Sequence, residues 1–260
     1  KHGHGLQDMV SAIEHSCDVY FYEIARKTGI NRIAAMAERF GLGDITGIGV
    51  GGERSGLVPT KEWKLATIGE PWQGGETLNV GIGQGHVLTT PLQLAMMTAQ
   101  LANGGKRVRP RLMYSLDAEK ETDGKTADKE PAVPEQNQSL GLSEHALSIV
   151  LEGMRRVTNS PTGTAFRARI KDPAMAMSGK SGTAQVRRIS KYERDTRVLK
   201  NKERAWRERD HALFVAFAPV ETPRYAISVV VDHGGGGSSV AGPIARDILE
   251  ATQKRDPSRN

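Results

Sequence analysis

Two short polar motifs carry the residues with the most chemistry to offer. Ser16-Cys17-Asp18 sets a hydroxyl two positions from a carboxylate, and Lys180-Ser181-Gly182-Thr183 sets an ammonium beside two hydroxyls and a glycine. Together they hold what an acyl-transferring serine enzyme needs around its nucleophile. An ammonium lowers the cost of nearby negative charge and can keep a neighbouring lysine deprotonated. Gly182 lets a substrate backbone lie close to the chain, and the amide N–H that follows can point at a developing oxyanion. Each motif alone is weak: Ser-x-Asp arises readily, and Lys-Ser-Gly-Thr also suits a simple strand entry.

The competing reading of Lys180 is a phosphate cradle. That loop needs Gly-x-x-x-x-Gly-Lys-Ser/Thr, and the position of its first glycine is Ala174. The continuation Gly182-Thr183-Ala184-Gln185-Val186 is strand-like, where the phosphate motif must open a helix. Gly-Ile-Gly-Gln-Gly at 81–85 lacks the third glycine and the later acidic residue of a dinucleotide site, and reads as a structural turn. The glycine run at 234–237 has no lysine and reads as a loop.

A second constellation is His2-x-His4 with His15-x-Cys17. Imidazole and thiolate are good zinc ligands, so His4 and Cys17 are candidates for a metal, against a buried free cysteine and surface histidines. Cys17 is the single cysteine, which excludes an internal disulfide framework.

The elements that must position these residues follow from periodicity. Ile13, Cys17, Tyr20 and Ile24 recur at helical spacing from Leu6 to Lys27, as one helix or as two with Asp18 capping the second. Asn31 to Phe40 reads as a short helix capped by Asn31, and residues 41–85 as glycine-rich and turn-like. Thr90-Pro91 starts a helix by N-cap and first-turn proline, and Ser143 starts another. Residues 117–139 are charged and Pro-bearing, and read as an exposed or disordered connection. "HALFVAFAPV" and "RYAISVVVDHG" form an antiparallel hairpin, with a further strand after Lys180 and a closing helix in "AGPIARDILEATQK". The fold class expected is α+β: an antiparallel sheet flanked by helices, plus a helical part.

The 260 residues carry a net charge of +6, and the segment Arg187 to Asp210 holds ten Lys/Arg against five Asp/Glu. That segment has only Tyr192 and Trp206 as aromatics and no RNA-binding or helix-turn-helix signature, so it reads as a solvated, mobile loop or exposed helix. No nucleic-acid partner is expected. No apolar run approaches the ~20 residues of a membrane span.

The order and surroundings of the motifs resemble the transpeptidase domain of class B penicillin-binding proteins, most closely the penicillin-binding protein 2 branch of rod elongation. The resemblance is carried by "GHG" at 3–5, "SCD" at 16–18, "TGIGVGGERSGLVPTKEWK", "VGIGQG" with "TTPLQLA", "NSPTGTA" at 159–165, "KSGTAQV" at 180–186 and "RDHALFVAFAP". It implies a penicillin-binding/β-lactamase-like fold, a five-stranded antiparallel sheet with the active site between sheet edge and helical subdomain. It implies peptidoglycan D,D-transpeptidase activity through a serine acyl-enzyme, with stem peptides as substrates, β-lactams as acylating ligands and no cofactor for catalysis. Ser16 would belong to the proton relay, the catalytic residue Asp18 stands where many relatives have asparagine, and Lys180 would give electrostatic support. The hydroxyls of Ser181 and Thr183 would hold the terminal carboxylate, beside Gly182, and the Thr183 N–H would form half of the oxyanion hole. Some relatives hold zinc with such a His and Cys plus upstream aspartates. Cell-elongation membrane proteins are the implied partners, and the bacterial inner membrane, facing the periplasm, the implied location. The family's nucleophile lies in an earlier Ser-x-x-Lys, and these residues contain no Ser-x-x-Lys. The expectation is a partial transpeptidase domain, incomplete at its N-terminus and inactive alone. Hydrolysis instead of transfer, or a non-catalytic penicillin-binding sensor or scaffold, are the alternatives.

Overall fold

The computed structural model describes residues 3–112 and 138–256. Three antiparallel strands, β1 (Ser178–Ala184), β2 (His211–Ala218) and β3 (Tyr225–Val231), lie in the order β1-β2-β3. The apolar run of β2 makes it central, because a strand paired on both sides and covered by helices gains most from burial. Ala212, Phe214, Ala216 and Ala218 are fully buried, and Met177, Val157, Ala245 and Leu249 share their core. Gly179 is obligatory there: a Cβ on it would stand 2.7 Å from the Val215 carbonyl oxygen and 2.8 Å from the Phe214 ring. That close approach seats β1 on β2 one residue before Lys180.

The helical pattern from Leu6 to Lys27 resolves into two helices, α1 (Met9–Glu14) and α2 (Asp18–Thr28). Asp18 is the first residue of α2 and Cys17 occupies the cap position, so the expected Asp18 cap is displaced by one; the carboxylate still faces the positive end of the helix. Between the helices Ser16 takes φ 51°, a left-handed conformation uncommon for a residue with a Cβ. In α3 (Ile30–Arg39) the cap is Gly29 and not Asn31.

Residues 41–85, read as turn-like, contain two helices, α4 (Lys61–Ile68) and α5 (Gly74–Gly81). Each is only eight residues long, too short for a clear period, and each depends on local caps: Thr60 accepts from Trp63, and Glu76 accepts from the Gln73 N–H. The buried ammonium of Lys64 then reaches Glu76 and the Pro71 carbonyl oxygen, locking α4 to α5. α6 (Pro91–Ala102) starts on the expected Thr90 cap, with Gln93 returning the bond, and α7 (Glu144–Asn159) on Ser143. Residues 117–139 fall outside the described residues except for the last two, of which Ser139 bridges to Lys106.

The basic stretch before β2 is more organised than a plain loop. It contains α8 (Lys191–Asp195) and two 3-10 turns, and its charges pair internally: Arg187 with Glu193, Arg197 with Glu203 and the buried Arg204 with Asp210. After β3, α9 (Gly242–Lys254) closes the chain against the sheet. Helices around a three-stranded antiparallel sheet are the α+β class expected; of the five strands the resemblance implies, three are present among the described residues.

Candidate active site

The two motifs meet. Lys180 Nζ donates to Ser16 Oγ at 2.5 Å and to the Ser181 carbonyl oxygen at 3.0 Å. Lys180 lies inside β1, not ahead of it, and Ser16 is held at the α1–α2 junction by Cys17 N–H, which donates to the Ala12 carbonyl oxygen at 2.9 Å. The junction is braced from behind. Glu14, nearly fully buried, accepts from Thr162 Oγ1 at 2.5 Å, and its carbonyl oxygen accepts from Thr164 N–H, so the 159–165 motif anchors α1.

Burial pushes the Lys180 ammonium down to about 8, with Asp18 pulling the other way. Near neutral pH the group stays mostly cationic yet holds its proton loosely. An ammonium has no lone pair, so Ser16 is the acceptor of the pair and its own hydroxyl proton is directed elsewhere. The ammonium therefore polarises the Ser16 hydroxyl through this hydrogen bond.

A cleft of about 660 Å³ opens here, lined by Ser16, Asp18, Tyr22, Lys180, Ser181 and Thr183 among others. Among the described residues the Ser181 and Thr183 hydroxyls make no hydrogen bond to the protein, and Thr183 is exposed at the strand edge. The far wall is the turn after α5. Gly81 packs so closely on α2 that a Cβ would fall 2.3 Å from that of Ala25, and Gln84 Nε2 donates across the cleft to the Thr183 carbonyl oxygen at 2.6 Å. Tyr22 and Gln84 were not singled out from sequence. Tyr22 stands four residues after Asp18, one helical turn away on the same face, a spacing that offers a signal; nothing local marks Gln84.

The metal expectation finds no support. Among the described residues no group of three or more His, Cys, Asp or Glu side chains stands together to hold a metal ion. Cys17 is buried and free at the start of α2, while the His4 ring lies 5.7 Å from that of His15; His2 is outside the described residues. A zinc role for His4 and Cys17 thus has no support among the described residues.

Residues 1–250 match the family described as the penicillin binding protein transpeptidase domain. The chain belongs to that family. As a member of this transpeptidase family it is 37% identical over 255 residues to the peptidoglycan D,D-transpeptidase MrdA of Haemophilus influenzae, covering 96% of this chain and 37% of the relative. It is 37% identical over 251 residues to the protein of that name from Escherichia coli K12, covering 96% and 38%. The chain thus spans well under half of these relatives. Among solved structures, penicillin-binding protein 2 of Pseudomonas aeruginosa, in complex with WCK 5153, superposes with a TM-score of 0.76 at 38% identity, covering 95% of this chain and 49% of that one. The Helicobacter pylori complex of penicillin-binding protein 2 with MreC gives 0.78 at 30% identity, covering 98% and 41%. Among the described residues no helix is long and apolar enough to cross a membrane.

Proposed function

We propose that this transpeptidase-family chain forms one wall and the relay of a peptidoglycan D,D-transpeptidase site. The observation that carries the reading is the 2.5 Å contact of Lys180 Nζ with Ser16 Oγ inside a cleft that also holds Asp18, Ser181 and Thr183.

In the reaction a serine hydroxyl attacks the carbonyl of the penultimate D-alanine of a stem peptide. The C–N bond breaks, terminal D-alanine departs with the transferred proton, and an ester to the serine remains. An amine of a neighbouring stem peptide then attacks that ester, forming the cross-link and returning the proton to the serine. Ser16 passes the proton to the departing nitrogen. The Lys180 charge, with the Ser181 and Thr183 hydroxyls, holds the terminal carboxylate. The Thr183 N–H supplies half of the oxyanion hole.

The attacking serine comes from outside the 260 residues, which contain no Ser-x-x-Lys. Alone they form no acyl-enzyme. The whole protein faces the periplasm from the inner membrane and works with a cell-elongation membrane protein; the partner part of this reading is supported by the relative solved with MreC.

The test is acylation of the full-length protein by a labelled penicillin, with the 260-residue chain as the negative arm. A labelled full-length band, no labelled short chain, and cross-linked dimers from stem-peptide substrates are the expected results. Free tetrapeptide without dimers would point to a hydrolase instead, and no labelling of the full-length protein would end the proposal.

A further inference from the structure

The turn at 81–85 has no part in the chemistry above, yet one of its side chains crosses the cleft. Gln84 Nε2 joins the Thr183 carbonyl oxygen at 2.6 Å, linking residues 99 apart. The turn has a fixed seat, because Gly81 is pressed against Ala25 of α2. Among the described residues β1 pairs only with β2, and its other edge faces the cleft. Ser181 and Thr183, two apart and therefore turned to the same edge, both present carbonyl oxygens there. One accepts from Lys180 Nζ and the other from Gln84 Nε2.

An open strand edge is a template for an extended peptide, whose amide N–H groups are the matching partners of such carbonyls. At Thr183 that partner's place is taken by a side chain. Thr183 is exposed and Gln84 half-buried, so exchange between the two donors needs no opening of the core.

We propose that Gln84 is a specificity gate for strand addition along β1. A ligand that carries an amide N–H reaches the Thr183 carbonyl by displacing the Gln84 carboxamide, whereas a ligand without one leaves the bridge in place. Swapping one hydrogen bond for another yields little net gain, so the wild-type site discriminates weakly between the two ligand classes. Removing the Gln84 carboxamide restores the full difference. The inference rests on the acylation site proposed above.

The test uses the full-length protein as wild type, Gln84→Ala and Gln84→Asn, the last keeping a carboxamide but one methylene short of Thr183. The probes are a penicillin with an acylamino side chain and penicillanic acid, which has no such side chain. Second-order acylation rates for the acylamino penicillin are expected to rise about two- to tenfold in both variants, the size of one net hydrogen bond. Rates for penicillanic acid stay within about twofold of wild type on the same reasoning. Equal changes for both probes, or a common fall, would show that Gln84 merely braces the turn and would overturn the gate. Failure of the wild type to acylate with either probe would instead sink the transpeptidase reading. The gate is then decided by equilibrium binding of N-acetyl-D-alanyl-D-alanine against O-acetyl-D-lactyl-D-alanine, in which an ester oxygen replaces the N–H of the penultimate residue, the counterpart of the penicillin acylamino N–H, with the same ratio expected to rise in the variants and an unchanged ratio overturning it.

Discussion

Lys180 Nζ stands 2.5 Å from Ser16 Oγ across 164 residues of chain, and the contact joins the sheet to the junction of two helices. If the two side chains act as one relay, their losses do not add. In the full-length protein, Ser16→Ala and Lys180→Ala are each expected to slow penicillin acylation by about 10²- to 10⁴-fold, the usual span for a proton-transfer group. The double variant should lose no more than the worse single one. Multiplying effects in a stopped-flow acylation assay would separate the two roles.

The lysine also sets a pH dependence. Burial holds its pKa at about 8 against an ordinary 10.5, so between those values the unfolded chain binds more protons than the folded one. Stability from this group therefore rises with pH through that window, and the cost of desolvating the ammonium is full below it. Lys180→Met should melt higher than wild type at pH 7, with the gap narrowing toward pH 10. A gap constant across that range, measured by thermal unfolding, would contradict the assignment.

Glu14 predicts the opposite limb. Burial works to raise its carboxyl, but hydrogen bonds from Ser160 and Thr162 and the charges of His15 and Arg156 outweigh it and hold the pKa below 4.5. Its stabilisation is present above the unfolded value and is lost as pH falls through the folded one. Glu14→Gln should cost about 1–3 kcal/mol at pH 7, as for a disrupted buried charged acceptor. It should also flatten the loss of stability below pH 4.5 seen in denaturant titrations of the wild type.

The seat of β1 is tested by its two glycines. Gly179→Ala drives a methyl into the Val215 carbonyl oxygen and the Phe214 ring and should cost about 1–3 kcal/mol. Gly182→Ala meets only Leu213 Cβ, at 3.3 Å, and should cost clearly less. Urea midpoints for the pair give the comparison, and equal costs would show that β1 can shift away from Phe214.

Local signals were legible where a few neighbouring residues decide the outcome. Thr90-Pro91 and Ser143 announce their helices because an N-cap acts within three residues, and the β2–β3 hairpin announces itself through two apolar runs around Glu221-Thr222-Pro223. α4 and α5 stayed hidden because eight residues give no reliable period and Lys64 stabilises them by reaching Glu76, twelve positions on. The zinc expectation found no support for a related reason: His-x-His and His-x-Cys spacings describe ligand types, while a third donor must be brought in by packing, and none stands with them among the described residues.

By itself the sequence determined which chemical groups are present and their local conformational preferences: the hydroxyls, the lysine, the carboxylate of Asp18, and the α+β order of elements. Only the tertiary structure decided that Lys180 polarises Ser16, that its ammonium is depressed, and that Gln84 closes on Thr183. The reason is distance along the chain. Backbone torsions and caps are set by residues within a turn of one another, whereas contacts spanning 99 and 164 residues depend on distant packing such as that of Gly81 on Ala25 and of Gly179 on Phe214.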